Sequence, residues 1–163
     1  MTRIGLLSDT HGYIDKRMLD ILADCDEIWH AGDIGATEVA LQLEAIKPVR
    51  AVWGNIDGAD IRRMYKQHNR FEIEGLTVFM THIGGYPGKY DTHIVGELQK
   101  KPLDIFVCGH SHILKVMNDT KNSFLCLNPG AAGIYGFHIK RTMLLFTIDN
   151  GLCKDMSVVE WDK

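Results

Sequence analysis

The chain has no surplus of positive charge: 18 lysines and arginines stand against 21 aspartates and glutamates, a formal charge of −3 over 163 residues. Duplex DNA and RNA usually recruit a basic face, so nucleic acid is not an expected partner. Cysteine is scarce, and Cys25, Cys108, Cys126 and Cys153 form no Cys-x-x-Cys pair. Each lies in or beside an apolar segment, which argues for reduced, buried thiols and against a cysteine-rich zinc site. No segment approaches the roughly 18 to 20 apolar residues of a membrane-spanning helix. The opening "MTRIGLLSDTHG" has too short an apolar run for a signal peptide. A cytoplasmic location without a membrane partner is therefore expected. Repeats, low-complexity tracts and linkers are also missing, so one domain over residues 1–163 is expected.

What is present is a series of short apolar runs, each ending in polar or glycine-rich residues. They are "RIGLL" before "SDTHG", "EIW" before "HAGD", "VRAVW" before "GNID", "LTVFM" before "THIGG", "DIFV" before "CGHSH" and "SFLCL" before "NPG". Runs of this length suit strands buried on both faces. Helical patterns lie between them. Ile14, Met18, Ile21, Leu22 and Cys25 fall on one stripe, as do Val39, Leu43 and Ile46. Ile94, Val95 and Leu98 mark a third helix, capped by Asp91 or Thr92. The last third instead reads as strands joined by turns, with hairpins at Gly75 and at Asp149–Gly151. An α/β chain that begins as βαβ and ends as an antiparallel meander calls for two packed sheets with helices outside.

The polar residues at the strand ends carry the chemistry. Asp9 and His11 follow the first run, Asp33 the second, Asn55 the third, His82 the fourth, and His110 with His112 the fifth. Ligand sites in open α/β sheets form where strand C-termini meet. Two carboxylates, four imidazoles and an amide, with no thiolate, suit manganese, iron, zinc or nickel. Seven donors exceed one tetrahedral ion and suit two ions sharing a carboxylate. Side chains two apart on an extended backbone project the same way, so His110 and His112 are expected to point together at such a pair. Gly32, Gly54 and Gly109 precede ligands and allow close backbone approach. Two divalent ions, offset by Asp9, Asp33 and a hydroxide, leave residual positive charge that would attract an anionic ester.

Taken singly, each residue has an ordinary account. Asp-x-His can open an Asx turn, Asp33 can cap a segment, Asn55 can be a turn residue, and His82 can be a satisfied core histidine. The coincidence of all seven at strand ends is what these accounts leave open. His30 is expected to pack, with a ligand-holding role as the alternative. His68, His93 and His138 are expected on the surface or in loops, with His93 at the edge of the cleft. Trp29 and Trp53 are expected in the core. Lys89, Lys140 and Arg141 are expected to be solvated, with contact to a substrate phosphate as the alternative.

In order, "SDTHG", "HAGD", "GNID", "THIGG" and "CGHSH" resemble the five signature blocks of the calcineurin-like metallophosphoesterases, and most closely those of the small single-domain phosphodiesterases. "LNPGA" near Asn128 extends the likeness over nearly the whole chain. The resemblance implies a four-layer α-β-β-α sandwich with mixed sheets. It implies two divalent transition-metal ions, manganese first and iron, zinc or nickel as alternatives. Asp9, His11 and His112 would hold one ion, Asn55, His82 and His110 the other, and Asp33 would bridge them. A bridging hydroxide would attack a small phosphate ester in line, which makes Asp33 and Asn55 candidate catalytic residues; Asp57 joins them on its position next to Ile56 and not through the resemblance. The substrate-binding residues are not named by the resemblance. Its small members are often oligomeric, so a homo-oligomer is compatible with it.

This chain departs from the family at two places. Ile56 stands where many members carry a histidine that assists the leaving group, and Asp57 is the nearest residue that could orient a water or a ligand. Loss of that acid disfavours poor leaving groups and favours diesters over monoesters. Gly84 and Gly85 stand where many relatives have a second histidine. A phosphomonoesterase is the nearest alternative activity. A scaffold of the same fold, like the similar retromer subunit, would be expected to have eroded ligands.

Overall fold

A computed structural model describes residues 1–163. In chain order the elements are β1 (Thr2–Leu7), α1 (Lys16–Ala23), β2 (Glu27–His30), α2 (Thr37–Ile46), β3 (Val49–Ala51), α3 (Ala59–Met64), β4 (His68–Ile73) and β5 (Leu76–Thr81). Then come β6 (Gly85–Tyr86), β7 (Lys89–Tyr90), a 3-10 turn (Thr92–Ile94), α4 (Val95–Gln99), β8 (Ile105–Val107), β9 (Leu114–Asp119), β10 (Phe124–Pro129), β11 (Lys140–Asp149) and β12 (Leu152–Asp162).

The strands form two five-stranded mixed sheets, β12-β11-β1-β2-β3 and β4-β5-β8-β10-β9, with β6-β7 as a separate ribbon. β1, β2 and β3 run parallel, as do β5, β8 and β10. Period-2 alternation sends β1's Ile4 and Leu6 into the space between the sheets. There they join Trp29, Leu144 and Phe146 and meet Val78, Met80, Ile105, Val107 and Leu127 from the other sheet. Leu7, Ile28 and Met143 face outwards against Met18 and Leu22 of α1 and Val39 and Leu43 of α2. On the opposite outer face Phe79, Phe106 and Phe124 pack on Ile94, Leu98 and Leu103. The expected α-β-β-α order of layers is therefore present. Each of these large side chains contributes about 1.5–3 kcal/mol by leaving water.

Local expectations fared unevenly. Both hairpins turn where expected, through Glu74–Gly75 and Asn150–Gly151, each pair at positive φ as a tight type I′ turn requires. The first helical stripe is shorter than its pattern: Asp15 accepts from Met18 N and starts the helix after Ile14. Asp91 caps the third helical segment, but Val95 points to solvent. The short helix α3 was not anticipated, because "ADIRRM" has one buried apolar residue, Ile61, and so no stripe to read. Trp29 is fully buried, whereas Trp53 is half-buried beneath the Arg62 guanidinium. All four cysteines are free. No helix is long and apolar enough to cross a membrane.

Candidate metal centre

The parallel strands deliver their C-terminal ends to one edge of the sandwich. Asp9 and His11 follow β1, Asp33 follows β2, Asn55 follows β3, His82 follows β5, and His110 and His112 follow β8. The extended-backbone expectation for the two short motifs is wrong. Asp9, His11, Asp33, His110 and His112 all adopt left-handed backbone, with φ of 55°, 47°, 55°, 70° and 61°. The chain turns sharply as it leaves each strand, and the turn, not strand alternation, aims the side chains. Asp and His tolerate this region better than most residues, at order 1–3 kcal/mol each. Consequently His110 and His112 serve different groups of donors. Asp9, His11 and His112 form one cluster and Asp33, His82 and His110 another, with the donor atoms within each lying inside 4.8 Å of one another.

Asp33 Oδ2 lies 3.1 Å from His82 Nε2 and 3.5 Å from His11 Nε2, so it stands between the clusters. Asp9 Oδ1 lies 3.2 Å from His112 Nε2, 3.6 Å from His11 Nε2 and 3.8 Å from His82 Nε2. Asn55 Oδ1 is 3.0 Å from His110 Nδ1. All seven expected residues are thus brought together. Yet Asp9 Oδ1, His11 Nε2 and His82 Nε2 are buried without a hydrogen-bond partner. Donor atoms that converge without bonding one another fit a cation between them. Two ligands at about 2.1 Å from one ion, subtending 90–120°, stand about 3.0–3.6 Å apart. The separations here match that range closely, so these residues fit a pair of divalent ions.

The remaining atoms of these side chains are fixed from behind. Asp9 Oδ2 accepts from Ser8 Oγ at 2.7 Å and from the His110 N–H at 3.1 Å. Asp33 Oδ1 accepts from the Ile56 N–H, and His82 Nδ1 donates to Ala31 O at 2.7 Å, which leaves His82 Nε2 a free lone pair. Burial pushes the Asp9 carboxyl up, but the His11, His112 and His82 rings and the Ser8 hydroxyl hold it well below the ordinary carboxylate range. Asp33 is likewise lowered: burial opposes this, but the His82 ring prevails. Burial pushes His82 down, yet Asp33 and Asp9 raise it overall. The site is a well of negative charge matched to cations.

Glycine supplies the room. A Cβ on Gly54 would sit 2.1 Å from Asp33 Oδ1, and one on Gly109 would sit 2.2 Å from Ser8 Oγ and 2.9 Å from Asp9 Oδ2. At the third such position, Gly32, it would strike the His82 ring.

Four supporting residues sit behind the donors. Asp57 is buried, and its carboxylate accepts from the Ile34, Gly35 and Gly54 N–H groups at 3.1, 2.8 and 2.8 Å. It staples the Asp33 turn to the Asn55 turn from beneath. His30 does more than pack. Its Nδ1 accepts from the Gly32 N–H and its Nε2 meets Thr10 Oγ1 at 2.9 Å, joining the Asp9–His11 and Asp33 turns. Burial pushes the His30 ring down to about 4, so it is neutral near pH 7. Asn128 donates to Gly109 O and Ser111 Oγ, bracing the turn that carries His110 and His112.

His138, expected on the surface or in a loop, lies in a loop but is half-buried and in contact with His112: the two Nδ1 atoms are 3.2 Å apart. His138 Nε2 donates to Gly133 O at 2.8 Å, so its Nδ1 is the acceptor and His112 Nδ1 the donor. That order leaves the His112 Nε2 lone pair aimed at Asp9 and the centre. No local motif marks His138, because 26 residues separate it from His112. His68 bonds Thr81, and His93 borders a small cavity shared with Asn55 and His82, the expected cleft edge. Arg141 is not solvated: it is buried, donates to Ala132 O and stacks between Trp161 and Tyr13. Lys140 pairs with Asp162. Only Lys89 of the three basic candidates lines a cavity beside the centre.

The Calcineurin-like phosphoesterase superfamily domain matches residues 2–151. A probable metallophosphoesterase of Methanothermobacter thermautotrophicus is 32% identical over 139 residues, covering 78% of this chain and 76% of its own. Among solved structures, wild-type Vps29 complexed with zinc from Entamoeba histolytica superposes with a TM-score of 0.74 at 17% identity, over 98% of each chain. A novel archaeal phosphodiesterase superposes with a TM-score of 0.73 at 20% identity, over 96% of this chain and 99% of its own. At these identities the two structures establish a common fold.

Proposed function

The chain belongs to the calcineurin-like phosphoesterase superfamily, and from that premise we propose that it is a metal-dependent phosphodiesterase with a dinuclear centre. The observation that carries this reading is the convergence of buried, unbonded donor atoms from two His/Asp clusters on either side of Asp33. Asp9, His11 and His112 would hold one divalent ion. Asn55, His82 and His110 would hold the other, and Asp33 would serve both. When bound, the ions supply Lewis acidity toward phosphoryl oxygens and make water a competent nucleophile near neutral pH.

The chain's own residues do the positioning. His82 is locked by Ala31 O, His112 by His138, and the Asp33 and Asn55 turns by Asp57. Asp57 acts in this reading as a positioning residue, since its oxygens already accept three backbone N–H groups. Beside Asn55 the half-exposed Ile56 offers no proton, which supports a preference for diesters and for leaving groups that depart without protonation. The family implies divalent cations, and manganese is the first ion to try.

The test is hydrolysis of an aryl phosphodiester and of the matching aryl phosphomonoester by Mn²⁺-loaded protein, beside Asp33→Ala. Diester turnover that exceeds both the monoester rate and the variant supports the reading. Equal, residual rates from wild type and variant on both esters would refute it and favour a binding scaffold of the same fold. A faster monoester rate would make it a phosphomonoesterase.

A further inference from the structure

Two cavities adjoin the centre, and His110 and Ser111 line both. The first, about 460 Å³, has His11, Asp33, Asn55 and His112 at its floor. Its walls are Ile56, Ile113, Tyr135 and Phe137. These four are 48%, 56%, 69% and 105% exposed, so four large apolar side chains stand in water around a charged site. Tyr135 is held there against the His11 ring, with centroids 5.1 Å apart. The second cavity, about 430 Å³, is lined by Tyr86 and Tyr90 together with Lys89, Lys115, Thr92 and Asn128. The Lys115 ammonium lies over the Tyr86 ring at 4.6 Å. One carboxylate, Asp91, also borders this cavity, but it is engaged by the His93 side chain and backbone N–H. Two lysines therefore face one committed acid.

A phosphoryl group at the centre would sit between these spaces. A monoester has one organic substituent and fills one of them, whereas a diester has two and fills both. Resting on the phosphodiesterase reading, we infer that the substrate is an unsymmetrical phosphodiester. One substituent bears an aromatic ring and is received by Tyr135, Phe137, Ile56 and Ile113. The other carries negative charge and is received by Lys89 and Lys115. Apolar and aromatic walls retain a ring by stacking and burial, and the lysines attract an anion. The reaction balances as hydrolysis: water forms a new P–O bond, one ester P–O bond breaks, and the leaving oxygen takes its proton from solvent, since Ile56 supplies none.

The test uses Mn²⁺-loaded protein and two substrates with the same scissile bond, a thymidine dinucleotide and the same dinucleotide with a terminal phosphate. In the wild type the terminal phosphate should lower KM several-fold. Lys89→Gln with Lys115→Gln should abolish that difference. Tyr135→Ser with Phe137→Ser should raise KM for both by about tenfold or more. The replaced side chains are exposed or half-exposed, so the fold should survive their loss. Turnover with KM values indifferent to the terminal phosphate and to all four substitutions would overturn the inference while leaving the hydrolase reading intact. Binding of the corresponding phosphorothioate dinucleotides, weakened by the same substitutions without any turnover, would preserve the two subsites and sink the hydrolase reading instead. A wild-type oligomer that dissociates on replacing Tyr135 and Phe137 would reassign the rim to a subunit contact and overturn the inference.

Discussion

Gly54→Ala is the smallest change that should dismantle the centre. The Gly54 backbone is not at positive φ, so alanine meets no conformational strain there; the obstacle is space. Its new Cβ would stand 2.1 Å from Asp33 Oδ1 and 2.3 Å from Asp33 N, where ordinary contact begins at 3.4 Å. The gap must therefore open by 3.4 − 2.1 = 1.3 Å. Rotating the Asp33 side chain does not suffice, because the backbone N–H is equally close. Separating the two turns is resisted by Asp57, which accepts from Gly54 on one side and from Ile34 and Gly35 on the other. Metal ligands tolerate about 0.2 Å of misplacement, and a misplacement of about 1 Å in catalytic geometry costs about a hundredfold in rate. Overpacking should also lower the stability of the metal-free protein by about 1–3 kcal/mol. The control is Gly96→Ala in α4, where an added Cβ meets nothing within 4 Å. That variant should be neutral or more stable by about 0.5–1 kcal/mol. Elemental analysis after dialysis against limiting Mn²⁺, thermal melts with and without chelator, and aryl diester hydrolysis provide the readouts. A Gly54→Ala protein that keeps two ions per chain and hydrolyses within twofold of wild type would refute the close-approach argument.

Two further outcomes concern the supporting residues His138 and His30, and a third concerns Ile56. His138→Ala should release the His112 ring and lower metal affinity about 10–100-fold, while His138→Gln, which can still accept from His112 and donate to Gly133 O, should restore most of it. Nitrogen NMR of the metal-free protein should find His112 protonated at Nδ1 in wild type and mixed in the alanine variant; an unchanged tautomer would rule out the positioning role. His30 has a folded value near 4 against 6.5 unfolded, so the unfolded chain binds the extra proton between these pH values. Stability of the metal-free protein should accordingly be full above pH 6.5 and fall by at most about 3 kcal/mol as the pH drops to 4. Urea titrations should show a shallower decline for His30→Gln over that window, and parallel curves would contradict the assignment. Ile56→His should accelerate hydrolysis of esters with poor leaving groups by about a hundredfold and change activated aryl esters little; equal effects on both would remove the leaving-group argument.

The two candidate metal-binding clusters have a simple consequence for folding. Without cations, Asp9 and Asp33 are balanced by imidazoles whose geometry is set for a third party. Cations that bind this arrangement and not the unfolded chain stabilise the fold by mass action, about 2.7 kcal/mol at a hundredfold excess over Kd.

Much of this was legible in the order of residues. Short apolar runs ending in Asp, Asn and His announced parallel strands and the edge where their ends meet, because burial on both faces demands continuous hydrophobicity and chemistry must lie where it stops. The absence of thiolates among the donors limited the choice of ion. The left-handed turns at Asp9, Asp33, His110 and His112 were not legible, since a motif written as alternating letters looks extended until the backbone is known to reverse. Nor was the burial of Arg141 between two aromatic rings, which depends on α1 and β12 closing over it. His138 and Asp57 became supporting residues only through contacts that local pattern does not encode: one spans 26 positions, the other fastens two separate turns. The chain alone determined which atoms were available to grip cations and from which strand ends they would come. Tertiary structure decided how those atoms are aimed, because direction is set by turns, packing and hydrogen bonds between segments far apart in the sequence.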